Sequence, residues 1–253
     1  MGSLFKYPIL VFVCPLVAVW LSVRIGVFLR ARRRPLGEEQ WQDFSVVLAS
    51  TLTLLGLIIG FSFSMAISRY DQRKNYEEAE ANAIGTEYVR ADLLPSTDAA
   101  KMRELLRKYV DQRVLFYRVR DNHRLAEIQT HTAQLQGELW SVAQSAAVAR
   151  PTPLLALVVS GMNDVLNSEG YTRAAWWNRI PVAAWALMVV LAMFCNLLIG
   201  YSAHRSAPFL YFVLPLAVSI SFFLIADIDS PRAGIIHIVP QNLERLAQSL
   251  TAP

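Results

Sequence analysis

The stretch Gly56–Pro95, "GLIIGFSFSMAISRYDQRKNYEEAEANAIGTEYVRADLLP", changes character once. Its first dozen residues suit hydrocarbon, and the remainder is dense with Arg, Lys and Glu. No proline and no turn cluster separates the two halves, so the pattern predicts one helix that leaves a membrane and enters water. Run back to Phe44 and on to Leu94, such a helix is about 75 Å long. Gly85 is its one soft position.

The rest of the chain fits that reading. Of its 253 residues, 54% are hydrophobic and 17% charged, with a mean hydropathy of +0.33. This is too apolar for an ordinary soluble domain and too charged for a chain lying wholly in lipid. Four runs approach the roughly 20 residues that span a bilayer: Pro8–Leu29, Phe44–Ser68, Ile180–Ala203 and Pro208–Ala226. The first is longer than a signal-peptide core and lacks a small-x-small cleavage site before its basic cluster, so it reads as a retained anchor. The organisation expected is a first membrane pair in residues 1–68, a helical soluble domain in 69–178, a second pair in 179–229 and a C-terminal segment in 230–253. The fold class is all-α.

Periodicity in the central segment is helical throughout. After Pro95, the residues Met102, Leu105, Leu106, Tyr109, Phe116 and Tyr117 share one face. The next helix spaces Leu125, Ile128, Thr132, Leu135, Leu139, Val142, Ala146 and Ala149 by threes and fours, a seam that requires a partner helix. A third begins with Thr152 as N-cap and Pro153 in its first turn.

On the second span, Ser45, Ala49, Thr53, Gly56, Gly60 and Ser64 fall on one arc, opposite a lipid-like arc that includes Leu54, Phe61 and Met65. Small residues at this spacing let helices approach closely in lipid. The same stripe could line a pore in a ring of several copies, its hydroxyls offering hydrogen bonds to partly hydrated ions. Both readings stand at this point. Asn196 lies mid-span in "LAMFCNLLIGY" and needs a hydrogen-bond partner, an interhelical one in the ordinary case, or a water-filled path.

"ADIDSPRAG" ends the last span with Asp227 and Asp229, followed by Arg232. Two carboxylates at a helix C-terminus oppose the macrodipole and call for a positive partner. Either Arg232 pairs with them at headgroup level, or they bind a cation or latch onto Arg69 or Arg73. Catalysis has no foothold. His123, His131, His204 and His237 are scattered, and no H-E-x-x-H, phosphate-cradling loop or nucleophile elbow occurs. The two cysteines, Cys14 and Cys195, lie inside spans, so the soluble segment has no disulfide or Cys-based zinc site. No metal site or cofactor is evident. The net charge of +4 owes much to "RARRR" at Arg30–Arg34, which suits membrane topology better than nucleic acid.

The run "GFSFSMAISRYDQRKNYEEAEANAIGTEYVRADLLP", then "RELLRKYVDQRVLFY", then "DIDSPRAG" resembles the bacterial bestrophin-like membrane family. Arg69, Tyr70, Glu80, Ala81, Asn82, Tyr88 and Arg90 carry the match on the long helix, Tyr109 and Arg113 on the next, and Asp227, Asp229, Pro231 and Gly234 near the end. Each motif alone is weak, and their order around four spans makes the match specific. The resemblance implies a homo-oligomer, pentameric in that family, in the bacterial inner membrane, with a second span lining a pore for chloride and other anions. Ile58, Ile59 and Phe63 are candidates for a hydrophobic gate, although the bestrophin neck cannot be aligned residue by residue, and no calcium clasp is recognisable. The resemblance also places the helical domain in the cytosol, whereas counting the short-loop charges "RARRR" and Arg205 places it outside.

Overall fold

The computed structural model describes residues 8–32, 37–202, 209–232 and 234–251. Arg33, Arg34, Ala203, His204, Arg205 and Pro208, which enter the span limits, the charge count and the histidine inventory above, lie outside the described residues. The described chain is helical without a strand: α1 (Pro8–Ala31), α2 (Glu38–Arg90), a short 3-10 turn (Ala91–Leu93), α3 (Ser96–Arg118), α4 (Asn122–Ala149), α5 (Pro153–Trp177), α6 (Val182–Ser202), α7 (Leu210–Asp229) and α8 (Gln241–Thr251). Four of these are long and apolar enough to cross a membrane.

The chain divides into two compact units, one of residues 1–69 and 179–237, the other of residues 70–178 and 238–253. In the first, α1 packs on α6 and α7. The α1–α6 crossing is set by two glycines. A Cβ at Gly200 would fall on the Val23 carbonyl, and one at Gly26 would strike the Leu197 carbonyl and lie 2.7 Å from the Tyr201 nitrogen. Only hydrogen side chains allow backbones this near each other, and dispersion between close backbones is what holds helices together in lipid. Within α7, Pro215 interrupts the ladder, and Ser219 donates to the Pro215 carbonyl at 2.7 Å.

In the second unit, α3 packs on α4 and α8, and α4 on α5. The expected α3 face is buried, with Met102, Leu105, Leu106, Tyr109, Phe116 and Tyr117; on α4, Ile128, Thr132, Leu139, Val142 and Ala146 are buried, Leu125 and Leu135 half-buried, and Ala149, at the helix end, is exposed. The α4 seam thus finds its partners in α3 and α5. The Thr152 hydroxyl accepts the Leu155 N–H at 3.3 Å and, with Pro153 behind it, starts α5. The amphipathic α8 was not anticipated. It buries Leu243 and Leu250, and the buried Glu77 caps it by accepting the Asn242 and Leu243 N–H groups, each at 2.9 Å. A carboxylate at a helix N-terminus satisfies orphan donors and is attracted by the positive end of the dipole.

Candidate functional site

The second span turns a narrow stripe toward its own chain. Leu55, Ser62 and Ala66 are buried, and Thr51, Leu52, Ile58 and Ile59 are half-buried. These recur every three or four residues, as one side of a helix must. Ser45, Ala49, Thr53, Gly56, Gly60 and Ser64 all lie on an exposed flank of that stripe, and Leu54, Phe61 and Met65 on the other. Among the described residues, a Cβ at Gly56 or Gly60 would meet nothing beyond its own helix backbone within 4 Å. Of the three gate candidates, Phe63 is 36% exposed beside the small-residue flank, with the exposed Ile67 one turn on, while Ile58 and Ile59 lean toward the stripe. The hydroxyls bond backward along the helix: Ser45 donates to Gln42 at 2.7 Å and Thr53 to Ala49 at 2.9 Å. Such back-bonds are usual for Ser and Thr inside helices.

Asn196 is fully buried in α6, and its amide donates to the Ala192 carbonyl of the same helix at 2.8 Å. Its carbonyl oxygen is buried without a hydrogen bond among the described residues.

At the end of α7 both carboxylates are occupied. Asp227 accepts the Ile235 and Ile236 N–H groups at 2.7 and 2.8 Å, folding the following turn back on the helix end. Gly234 makes this possible, because a Cβ there would lie 2.5 Å from the Asp227 carbonyl oxygen. Asp229 accepts the Ile180 N–H at 3.0 Å and pairs with Arg69 at 3.3 Å. Arg232 is half-buried in the turn that follows. Arg73, 1% exposed, donates to the Ala175 and Asn178 carbonyls at 3.1 and 3.0 Å and so ties α2 to the end of α5 within the second unit. No group of His, Cys, Asp or Glu suited to a metal occurs among the described residues.

The second unit holds a buried charge cluster that spacing alone did not show. Arg113 is fully buried, is paired with Glu80, and lies 3.8 Å from Glu169. Glu80 also accepts from Thr172 at 3.2 Å and Tyr117 at 3.4 Å. Phe116, Tyr117 and Trp176 pack edge to face with one another, and the guanidinium lies over the Phe116 ring at 4.4 Å. Burial and the nearby Glu80 charge push the Tyr109 and Tyr117 phenols well above their ordinary range. The signal available in the sequence was Glu80 and Arg113 on apolar faces.

Glu87 is a second buried acid. It is 0% exposed, and neither carboxylate oxygen has a hydrogen bond among the described residues. Gly161 on α5 makes room for it, since a Cβ there would collide with the Glu87 carboxylate and the Arg90 guanidinium. Burial raises its pKa from 4.5 to about 8, with Arg90 at 4.0 Å opposing and Asp164 adding. The folded state therefore holds this proton more tightly than the unfolded chain. The contribution to stability is fully present below pH 4.5 and is lost as pH rises toward about 8, at no more than about 1.4 kcal/mol per pH unit. Glu87→Gln keeps the shape without the titration. Thermal unfolding of the variant in detergent should lose that slope, leaving it the more stable protein at pH 8. A slope equal in both proteins would place the titrating group elsewhere.

Four apolar helices, one of which continues into a helical unit with a buried charge core, define a multi-pass membrane protein set in a lipid bilayer. The chain belongs to the bestrophin-like family, whose Bestrophin-like domain matches residues 12–243. Among solved structures it is similar to a bacterial bestrophin homologue from Klebsiella pneumoniae solved by Zn-SAD phasing, with a TM-score of 0.66 at 14% identity over 95% of this chain and 99% of that one. A single-site variant of a bestrophin homologue from the same organism gives 0.64 at 14% identity, over 96% of this chain and 99% of that one. At this identity the likeness speaks for the fold. Comparison with curated proteins finds no match.

Proposed function

We propose that this chain forms an oligomeric ion channel, a pentamer in the bacterial inner membrane, whose second membrane span surrounds a central pore that conducts anions such as chloride. One observation carries the pore reading. The apolar window of α2 is 6% buried, against 44% for that of α7, and its exposed small-residue flank at Gly56 and Gly60 is not covered by any other described part of the chain. Contacts with further copies would cover part of that flank, and an aqueous path would wet the rest. The anion comes from the family resemblance. With Arg69 paired to Asp229 beyond the span, the stripe itself offers no ring of basic side chains to select anions.

The alternative is a non-conducting scaffold or sensor in which the stripe is dry packing. The back-bonded hydroxyls favour it, because donors already spent on the Gln42 and Ala49 carbonyls are less free to bind an anion. Gly60→Leu separates the two. The monomer has room for the side chain, so the variant should fold. In the pore reading, chloride flux into liposomes drops to that of protein-free vesicles while the oligomer persists. Loss of the oligomer would instead select dry packing.

A further inference from the structure

The side of α1 that its own chain leaves uncovered carries an alternation unlike an ordinary lipid-facing helix. Trp20, Arg24, Phe28 and Arg32 follow at four-residue intervals, which places them in one row. Trp20 is 41% and Phe28 53% exposed, and both arginines are exposed. Each guanidinium lies over the ring one turn earlier, Arg24 at 5.6 Å from Trp20 and Arg32 at 4.3 Å from Phe28. That backward lean follows from the tilt of helical side chains toward the N-terminus. Arg30 is turned differently, over Tyr201, and stands outside the row.

Arg24 is the informative member. It lies inside the first apolar run, which ends at Leu29. Among the described residues no carboxylate pairs with Arg24 or with Arg32. A guanidinium at membrane depth is costly and ordinarily faces a protein interior, an aqueous path or a counter-charge. Here it faces outward. The aromatic ring below it recovers part of the lost hydration through a cation–π contact and leaves the N–H groups on the other side open. The ligand that a bilayer supplies at that place, with strong acceptors for a guanidinium fork and hydrocarbon for the neighbouring Leu21, Ile25 and Phe28, is a phospholipid of net negative charge.

We propose that this row is a binding site for an anionic phospholipid, with Arg32 as donor to its phosphate, Arg24 as a second positive charge beneath it, and the exposed apolar side of α1 as the bed for its acyl chains. Arg32 meets the phosphate at headgroup level. Arg24, about 12 Å deeper along the helix axis, lies out of contact with that phosphate and adds its positive charge below it, reached by water drawn inward. The two rings hold the guanidinia in place before the lipid arrives, which lowers the ordering cost of binding.

The full-length protein, purified in detergent and offered equal phosphatidylglycerol and phosphatidylcholine, should retain phosphatidylglycerol with about thirtyfold preference in native mass spectra, the size expected of two arginines near an anionic surface. The double variant Arg24→Gln, Arg32→Gln should retain the two lipids almost equally, with subunit number and thermal midpoint unchanged because neither side chain is buried. Arg24→Lys keeps the charge and should keep most of the preference. The proposal is overturned if the double variant retains the wild-type preference. It is also overturned if that variant changes its subunit number, since the row would then be a contact between copies.

Discussion

Gly200→Leu is expected to prevent assembly of the first unit, with the variant recovered as aggregate or with a thermal midpoint far below wild type. The new side chain would have to occupy the place of the Val23 backbone. Overpacking against side chains typically costs about 1–3 kcal/mol because rotamers can yield. Here the obstacle is backbone on both helices, and relief requires α1 and α6 to move apart, forfeiting the close contact along their length. Gly26→Leu should behave alike, since its Cβ would meet the Leu197 carbonyl on the other side of the same crossing. Gly137→Leu is the control, a helical glycine of α4 with no neighbouring side chain or helix of the described residues within 4 Å. Size-exclusion yield and thermal unfolding of the three variants check this. A folded Gly200→Leu protein with a wild-type midpoint would mean that the helices are not seated this closely.

Arg113→Met has the second largest expected effect. It keeps the packed volume near Phe116 but leaves Glu80 and Glu169 buried with no guanidinium between them. Removing one partner of a fully desolvated pair costs about 3–5 kcal/mol, because the remaining charge keeps its desolvation penalty or must take up a proton. The double variant Arg113→Met, Glu80→Gln should recover part of the loss, since a buried neutral amide with Thr172 and Tyr117 at hand is cheaper than a lone carboxylate. Denaturant unfolding of the two proteins, monitored through the core Trp176, reads the difference. Equal stability of Arg113→Met and wild type would show that water reaches the cluster and supports the charge.

Much of the fold was legible because it rests on local periodicity. The helices at Pro8, Ser96 and Pro153 begin where proline, cap residues and apolar spacing announce them, and α6 begins at Val182, two residues after the expected Ile180; the Asp121 cap that starts α4 was not singled out. The helix expected to run unbroken to Leu94 does so only as far as Arg90 and then gives way to the 3-10 turn that leads into Pro95. What sequence could not reveal depended on distance in space. Glu77 and Leu243 are 166 positions apart, so nothing local marked α8 as a capped helix. Gly26 and Gly200 are ordinary membrane glycines until the crossing brings each against a backbone. Glu87 is one more acid on a charged helix until Gly161 encloses it. The charge partners of Asp229 were open to reasoning, because carboxylates at a helix C-terminus demand compensation, and Arg69 together with the Ile180 amide supplies it. The small-residue flank of α2 was legible as a pattern. Its meaning was not, because a single chain leaves both flanks of that helix exposed.

The placement of α8 bears on biogenesis. The second unit is built from two separate stretches of sequence, 70–178 and 238–253, with the whole second membrane pair translated between them. Until α8 emerges from the ribosome, Glu77 has neither the Asn242 nor the Leu243 amide to accept, and Arg107 lacks the Leu250 carbonyl that it reaches at 2.8 Å. A nascent chain must therefore carry an unfinished helical unit through the insertion of α6 and α7, with a buried-type carboxylate still hydrated. Closure by α8 therefore follows the synthesis of both later spans, and the second unit is held open until then.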